Sequence, residues 1–445
     1  MEKAYERYKD SGVEWIGEIP ESWDVIKMKW LSPVNRGASP RPIADPIYFD
    51  DNGEFAWVRI ADVSASERYL KNTTERLSEL GSSLSVKRYP GDFFLSIAGS
   101  VGKPIITKIK CCIHDGFVWF PELKINPEYF YYLFQSDLPF TGLGKMGTQL
   151  NLNTETIGNI MIPVSTNKEV EKIISYLDYH TQLIDNLISK KETLIQKLQE
   201  QRQAIINEAV TKGLNKNVAL KDSGIEWLGE IPEHWEVSRL DYLSEIIDPQ
   251  PDHRAPKMDL NGLPYLGIRD IKDDGTINVN TARIVELAAI EKQERSFTIE
   301  EGDIVFGKVG TLANPKHIKL GGERVALSAT LVLIKSENLM NRFLKYVLDS
   351  NYIWYQINTV IVGATRPALG ITQIRKFRIL KPYNNINELE VIVNYLDTET
   401  SKIHNAIKKL TSSIQKLKDY RQSLISEAVT GKIDVREWQQ PENKS

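Results

Sequence analysis

The chain has few of the residues that build metal sites and disulfide frameworks. Its 445 residues include two cysteines and six histidines. The cysteines, Cys111 and Cys112, are adjacent, and two ligands are too few for a structural zinc site. No pair of histidines has the spacing of metal ligands. The sequence therefore predicts no metal site, and it predicts that both cysteines are reduced and buried.

Long apolar runs and an excess of positive charge are also absent. No stretch approaches the ~18 to 20 apolar residues of a membrane span, and the first ten residues contain no apolar signal core. These absences predict a cytoplasmic protein that does not contact membranes. The formal net charge of −3 argues against a uniformly basic nucleic-acid binder, although it permits local basic clusters.

The dominant feature is an internal repeat. The segment KDSGVEWIGEIPESWDV begins at Lys9 and recurs from Lys221 as KDSGIEWLGEIPEHWEV, with 13 of 17 positions identical. A second pair, YLDYHTQLIDNLISKK from Tyr176 and YLDTETSKIHNAIKKL from Tyr395, is offset by 219 residues instead of 212. The ends of the unit are therefore constant, whereas its middle, the variable region (residues 26 to about 150 in the first copy and 238 to about 366 in the second), varies in sequence and length.

Each copy ends in a segment with the pattern of a long coiled-coil helix. Apolar residues recur at heptad spacing with a second alternating seam position, and no proline or glycine interrupts either run. The seams contain Leu177, Ile184, Ile188, Ile195, Leu198 and Ile205 in the first copy and Leu396, Ile403, Ile407, Leu410, Ile414, Leu417 and Leu424 in the second. Lys191 alone breaks the pattern. Each run is predicted to be one helix of ~40 residues. An ordinary core helix is the weaker alternative, because few are that long.

Connectivity predicts that these two helices are antiparallel. Only residues 212–220 separate the first helix from the second KDSG element, so its C-terminal end must lie beside the second variable region. A second helix packed along the first then returns towards the first KDSG element. The predicted fold class is α+β, with two α/β domains that are related by a pseudo-twofold axis and separated by a pair of long antiparallel coiled-coil helices.

Twofold-related modules on a rigid spacer can contact two DNA half-sites at a fixed separation, and unlike modules imply unlike half-sites. The two IPE.W elements, the YLD helices and the Glu-Ala-Val-Thr helix ends together resemble the specificity subunit of type I restriction–modification systems, over essentially the whole chain. The resemblance implies a chain that selects an asymmetric bipartite DNA sequence, performs no chemistry and needs no cofactor. It also implies two partner subunits that methylate adenine N6 with S-adenosylmethionine, and motor-nuclease subunits that add cleavage.

The domain boundaries implied by this resemblance follow the repeat. They are target recognition domain 1 (residues 1–167), long helix 1 (168–212), target recognition domain 2 (213–383), long helix 2 (384–431) and a C-terminal tail (432–445).

Short strands and turns dominate both variable regions. EFAWVRIADV (54–63) aligns with LPYLGIRDI (263–271), and GDFFLSIAGSVGK aligns with GDIVFGKVGTLAN, as half-buried strands of a mixed or antiparallel sheet. The segments PEYFYYLFQS and NRFLKYVLDSNY are predicted helices that cover one face. Their aromatic residues are assigned to the core and not to base stacking, because duplex readout uses polar forks.

Polar loops at equivalent positions of the two regions are the candidate DNA-reading elements. One loop of each region is early in the sequence (35–42 and 248–257), and the other follows the aromatic helix (144–153 and 362–370). Forked side chains read base edges, whereas cations on phosphates set register. The candidate DNA contacts are Arg36, Arg41, Lys103, Lys145, Gln149, Asn151, Arg254, Arg269, Lys308, Thr365 and Arg366, with Lys316 as a further phosphate candidate. For each of these residues taken singly, the alternative to base or phosphate contact is an ordinary solvated loop residue.

The repeated ends supply the candidate partner-binding residues. Aromatic side chains concentrate binding energy at interfaces, but the same tryptophans can anchor the core, and both roles can hold together. The candidates are Trp15, Trp23, Trp227, Trp235, Arg202 and Arg421. Because they occur in two equivalent copies, a partner that docks on them is expected to bind twice.

Two motifs favour a rival function, a DNA methyltransferase that acts alone with S-adenosylmethionine. Residues 142–147 fit GxGxxG, but a proline precedes them and no strand or helix pattern flanks them. Residues 45–48 approach an Asp-Pro-Pro-Tyr motif but lack its second proline. Neither motif is duplicated. A coiled-coil scaffold that binds only proteins is a third possibility.

Overall fold

The computed structural model describes residues 4–143, 152–252, 254–361 and 367–441. The chain divides into two compact units. Unit 1 comprises Met1–Lys191 and Ser412–Ser445, and unit 2 comprises Glu192–Thr411. Both boundaries fall inside long helices, so each helix contributes one part to each unit. The domain boundaries predicted from the sequence lie at the helix ends instead, because they follow the repeat. They stay a prediction about functional domains.

Unit 1 is a mixed α/β structure. Its strands are β1 (Tyr8–Asp10), β2 (Glu18–Pro20), β3 (Asp24–Lys27), β4 (Asn35–Arg36), β5 (Phe55–Val58), β6 (Tyr69–Leu70), β7 (Glu75–Leu77), β8 (Val86–Arg88), β9 (Phe93–Ser96), β10 (Pro104–Thr107), β11 (Cys111–Ile113), β12 (Phe117–Trp119) and β13 (Met161–Val164). Its helices are α1 (Met28–Leu31), α2 (Ile60–Ala65), α3 (Glu79–Ser83), α4 (Pro127–Gln135), α5 (Thr154–Gly158) and the first part of α6 (Asn167–Lys212).

Unit 2 is also a mixed α/β structure. Its strands are β14 (Leu220–Asp222), β15 (Glu230–Pro232), β16 (Trp235–Arg239), β17 (Glu245–Ile247), β18 (Met258–Leu266), β19 (Arg283–Val285), β20 (Ile304–Gly307), β21 (Ala313–His317), β22 (Ala326–Leu327), β23 (Leu331–Lys335) and β24 (Arg378–Pro382). Its helices are α7 (Leu240–Leu243), α8 (Leu287–Glu294), α9 (Asn338–Leu348), α10 (Asn351–Val360), α11 (Ile371–Arg375) and the first part of α12 (Ile386–Val429).

The two variable regions share a strand order despite their different sequences, and β6 and β8 are additional edge strands in unit 1. The order β4-β12-β9-β10 in unit 1 matches β17-β23-β20-β21 in unit 2, and β7-β5-β11 matches β19-β18-β22. The hairpins β1-β2 and β14-β15, and the pairs β3-β13 and β16-β24, also correspond. The second sheet is mixed in both units, because β5 pairs with β11, and β18 with β22, in parallel. The predicted mixed sheet and the aligned strands are therefore confirmed.

One detail of the strand prediction was wrong. The strand expected over residues 54–63 ends at Val58, and α2 follows it. The backbone N–H of Arg59 donates to the carboxylate of Asp62 at 2.8 Å, and Gly267 donates to Asp270 at the same distance in unit 2. An aspartate three residues later in the sequence caps the first turn of a helix, so the strand ends before that turn.

The aromatic helices pack inward, as predicted. Residues 129–134 of α4 are all buried, and Phe343, Leu344 and Tyr346 are buried on α9. Both cysteines lie buried on β11 with free thiols, and burial raises the pKa of Cys111 to about 12.

The two long helices are confirmed, with 46 residues in α6 and 44 in α12. Leu177 and Leu396 are fully buried, whereas Leu198 and Leu417 in the middle of the seams are only half-buried. Within unit 1 the helix segments run in opposite directions. Arg421 Nε on α12 lies 2.9 Å from Asp185 Oδ1 on α6. Trp438, which follows α12, packs on Tyr176, which precedes Asp185 on α6. The chain order of the contacts is thus reversed between the two helices. No helix in the described part of the chain is long and apolar enough to cross a membrane.

Candidate nucleic-acid interface

In unit 1, the early polar loop is held against the turn between β11 and β12. Gly37 donates to the Phe117 carbonyl and Ala38 to the Ile113 carbonyl. A Cβ atom at Gly37 would lie 2.2 Å from the His114 carbonyl oxygen, so only glycine permits this close approach. The loop is therefore fixed by backbone contacts, which leaves its side chains available at the surface.

Asp115 brings the two candidate arginines of this loop together. Arg36 Nε donates to the Asp115 carbonyl oxygen at 2.5 Å, and Arg41 Nη2 lies 3.6 Å from its carboxylate. The Arg41 side chain remains 83% exposed, so this ion pair is weak and the guanidinium can reach a ligand. Beside it is an open pocket of about 610 Å³, lined by Ser39, Pro40, Arg41, Pro42, Ile43 and Asp115.

Lys103 occupies a structural position in unit 1. Its ammonium donates to the backbone carbonyls of Ser64 at 3.0 Å and Ser66 at 2.6 Å, which fixes the end of α2. Partial burial lowers the pKa of Lys103. A phosphate contact by Lys103 would require that these hydrogen bonds open.

In unit 2, Gln250 organises the early polar loop. Its side-chain amide donates to Asp252 at 2.8 Å and to the Arg254 carbonyl at 2.9 Å, while Lys292 pairs with Asp252 at 2.8 Å. The Lys292 ammonium and the Arg254 backbone N–H lower the pKa of Asp252 to about 2. The Arg254 backbone is thus held while its side chain is exposed, an arrangement that suits a reading residue.

Lys308 joins both candidate loops of unit 2. Its side chain is 3% exposed, and its ammonium lies 2.6 Å from the carboxylate of Asp248, the first residue of the early loop. Its backbone carbonyl accepts from Leu369 N at 2.8 Å, and the neighbouring Val309 pairs with Ala368, which fixes the base of the late loop. A phosphate could reach Lys308 only if the buried ion pair opened.

The other described candidates differ in exposure. Arg269 is exposed on a short 3-10 helix, Ile268–Asp270. Lys316 is buried, donates to the Ile271 carbonyl at 2.5 Å and lies 3.3 Å from Asp273. Base or phosphate contact stays a prediction for all of them. Five of the candidate residues lie outside the described residues: Lys145, Gln149, Asn151, Thr365 and Arg366.

The four tryptophans fall into two classes. Trp23 and Trp235 are fully buried, and Trp235 Nε1 donates to Glu388 at 3.0 Å. Trp15 and Trp227 are half-buried, and Trp227 stacks on Tyr355 with ring centroids 4.4 Å apart. The core-anchor role therefore describes Trp23 and Trp235, and Trp15 and Trp227 retain surface that a partner can contact.

The repeated arginines of the long helices make ion pairs within their own units. Arg202 pairs with Asp349 at 2.7 Å, and Arg421 with Asp185 at 2.9 Å. Both side chains are less than a third exposed. A partner contact by either arginine stays a prediction.

The structure adds residues that the sequence reasoning missed. Asp115 contacts both arginines of the early candidate loop in unit 1, and Asp248 ties the early candidate loop of unit 2 to Lys308. Asp178 and Asp397 each accept a tyrosine hydroxyl from a variable region. Asp115 and Asp248 lie in unlike sequences and carried no signal. Asp178 and Asp397 did carry one, since both are the aspartate of the repeated YLD motif.

The enzyme-like motifs find little support. In residues 45–48, the Asp45 carboxylate caps a short 3-10 helix by accepting from Ile47 N at 3.1 Å, a local structural role. Most of the glycine motif lies outside the described residues. Among the described residues, no group of three or more His, Cys, Asp or Glu side chains could hold a metal ion.

Comparisons with known proteins agree with this architecture. A family model described as a type I restriction modification DNA specificity domain matches residues 20–197. The type I restriction enzyme MjaIX specificity subunit of Methanocaldococcus jannaschii is 25% identical over 439 residues, which span 95% of this chain and 96% of that protein. The StySPI specificity subunit of Salmonella potsdam is 22% identical across 94% of this chain and 91% of its own length.

A solved structure shares the fold. It is a chain from a structure that addresses complex assembly and conformational transition of the type I R-M system. It aligns with a TM-score of 0.66 at 16% identity and covers 92% of this chain and 98% of its own.

Proposed function

We propose, from the premise that this chain is a specificity subunit of a type I restriction–modification system, that each variable region reads one half of an asymmetric bipartite DNA target. The observation that carries the proposal is the shared sheet topology of the two regions. Each region holds its early polar loop against the domain, through the backbone of Gly37 and Ala38 in unit 1 and the Lys308–Asp248 ion pair in unit 2, yet the loops differ in sequence. Equivalent platforms with unlike loops suit a protein that reads two unlike half-sites.

The chain selects the sequence, and its partners carry out the chemistry. We propose two adenine-N6 methyltransferase subunits, because the tryptophan element and the long-helix end occur twice in equivalent settings. S-adenosylmethionine binding and base flipping then belong to those partners. Restriction subunits would join the same complex, and the long helices would set the spacing between the half-sites.

Genome-wide mapping of methylated adenines in a host that expresses the complex tests the proposal most directly. The expected result is one discontinuous motif with two unlike specified parts and an unspecified spacer of fixed length. A continuous motif or a palindrome would contradict the assignment of one half-site to each region.

Each reading loop is expected to affect only its own half-site. Arg254→Ala should weaken discrimination at the half-site read by unit 2, and Arg41→Ala at the other. A bidentate arginine contact contributes ~1 to 3 kcal/mol of discrimination, so a lost contact changes relative methylation rates by about 5-fold to 150-fold. The measurement is methylation of duplexes carrying single base changes in either half. Arg295→Ala is the matched control, because Arg295 is exposed at the end of α8, outside both loops of unit 2. An equal effect of Arg254→Ala on both half-sites would contradict the prediction.

The rival methyltransferase function has a separate test. The purified chain, incubated with DNA and labelled S-adenosylmethionine, is expected to transfer no label until the methyltransferase subunits are added. Turnover by the chain alone would refute the noncatalytic assignment.

A further inference from the structure

The aspartate of the repeated YLD motif makes the same contact in both units. Tyr132 on α4 donates its hydroxyl to Asp178 Oδ1 at 2.6 Å and lies 3.3 Å from Thr181 Oγ1. Tyr346 on α9 donates to Asp397 Oδ1 at 2.5 Å and lies 3.1 Å from Thr400 Oγ1. In each case the tyrosine belongs to a variable region, and the aspartate and threonine belong to a long helix.

Each aspartate also pairs with a guanidinium, but the arginine comes from a different place in each unit. Arg68, which contacts Asp178 at 2.5 Å, precedes β6 in unit 1. Arg342, which contacts Asp397, is on α9 itself. The variable regions differ in sequence, yet each supplies one hydroxyl and one guanidinium to the equivalent aspartate of its own unit. Charge-assisted hydrogen bonds of this kind are short and directional, so they fix orientation as well as contact.

A second contact in each unit comes from the other long helix. Gln203 of α6 donates to the Asp349 carbonyl at 3.0 Å in unit 2, and its counterpart Gln422 of α12 donates to the Ser136 carbonyl at 2.6 Å in unit 1. These carbonyls belong to the C-terminal ends of α9 and α4, where otherwise unpaired carbonyls need donors. In each unit, one long helix therefore holds the tyrosine and the other holds the helix end.

Two points of attachment on one short helix fix its direction. We infer that Tyr132–Asp178 and Tyr346–Asp397, together with the glutamine contacts, are positioning contacts that orient each variable region on the long helices. They set where along the DNA a half-site is read, and the loops set which bases are read. This inference rests on the proposed bipartite recognition and assigns its spacing to named residues.

The test uses Tyr346→Phe in the full chain, assembled with its methyltransferase subunits. The substrates are duplexes that carry both half-sites at the mapped spacing, or with one or two base pairs added or removed. The wild-type complex is expected to prefer one spacing. Tyr346→Phe should lower that preference at least about tenfold, the lower end of what is expected for loss of a hydrogen bond to a charged group. Its tolerance of base changes within each half-site should stay unchanged.

Tyr352→Phe is the matched control. Tyr352 and Tyr346 are both 5% exposed, and the Tyr352 hydroxyl donates to the carbonyl of Arg378 on β24 at 2.6 Å, within unit 2 and not on a long helix. The substitution removes a buried hydroxyl and its hydrogen bond, but it leaves the Tyr346–Asp397 attachment to α12 intact. The control should keep the wild-type spacing preference. If both variants lose the preference equally, or if Tyr346→Phe keeps it, the inference is wrong.

A second variant covers a failure of Tyr346→Phe to fold. Asp397→Asn keeps the size of the side chain and an acceptor for the tyrosine hydroxyl, but it removes the charge that pairs with Arg342. It should broaden the spacing profile in the same direction, and an unchanged profile would overturn the inference. A wild-type complex with no dependence on two separated half-sites would refute the proposed function itself, which distinguishes the two failures.

Discussion

Trp235→Ala is expected to lower the free energy of unfolding of unit 2 by about 3 to 5 kcal/mol, the usual cost of removing a fully buried aromatic side chain. Trp235 is 0% exposed and belongs to the same buried cluster as Ile206, Ala209 and Val210 near the end of α6 and Leu389 on α12. Hydrogen–deuterium exchange with peptide resolution measures the loss. Protection should fall in peptides of residues 192–411 and persist in unit 1. Unchanged protection in unit 2 would show that Trp235 is not an anchor.

The repeat offers a matched comparison for the indole N–H. Trp235 Nε1 donates to Glu388, whereas Trp23 Nε1 has no hydrogen-bond partner among the described residues. Trp235→Phe should therefore cost about 1 kcal/mol more than Trp23→Phe, because only the former loses a hydrogen bond. The same exchange experiment compares the two variants. Equal costs would mean that the Glu388 contact contributes nothing.

Lys308→Met should strongly impair recognition of the half-site that we propose unit 2 reads. The substitution leaves the Asp248 carboxylate, which is 18% exposed, without its cation, and breaking a buried ion pair costs about 3 to 5 kcal/mol. The early loop then loses its link to the segment that follows β20, where Lys308 and Val309 also hold the base of the late loop. We expect methylation that depends on this half-site to be at least a hundredfold slower than in the wild type. Base changes in the other half-site should be discriminated as in the wild type.

Two further variants separate loop position from general stability. Lys335→Met breaks the ion pair with Asp303, at 3.1 Å and also in unit 2, but outside both candidate loops. It should destabilise the unit without a selective loss of one half-site. The double variant Lys308→Met with Asp248→Leu removes both charges and should recover most of the stability. If it also restores full recognition, the ion pair stabilises the domain but does not position the loop.

The candidate site was only partly predictable, and particular residues show why. The loop that contains Arg36 and Arg41 could be found from its composition and its counterpart in the second copy. Lys308 and Lys103 looked like surface cations, because a sequence does not reveal that Asp248 or the carbonyls of Ser64 and Ser66 lie within reach. Those partners are far away in the sequence, and only the folding of the sheets brings them together.

By itself, the sequence determined the duplication, the two long helices and the correspondence between the variable regions, because repeats and heptad spacing are local patterns of residue types. Tertiary structure alone decided which polar groups meet. It separated Trp23 and Trp235, which are buried, from Trp15 and Trp227, which keep exposed surface. It also showed that Asp178 and Asp397 receive their arginines from different places in the two units. Contacts of this kind depend on directions and distances between remote segments, which no local pattern specifies.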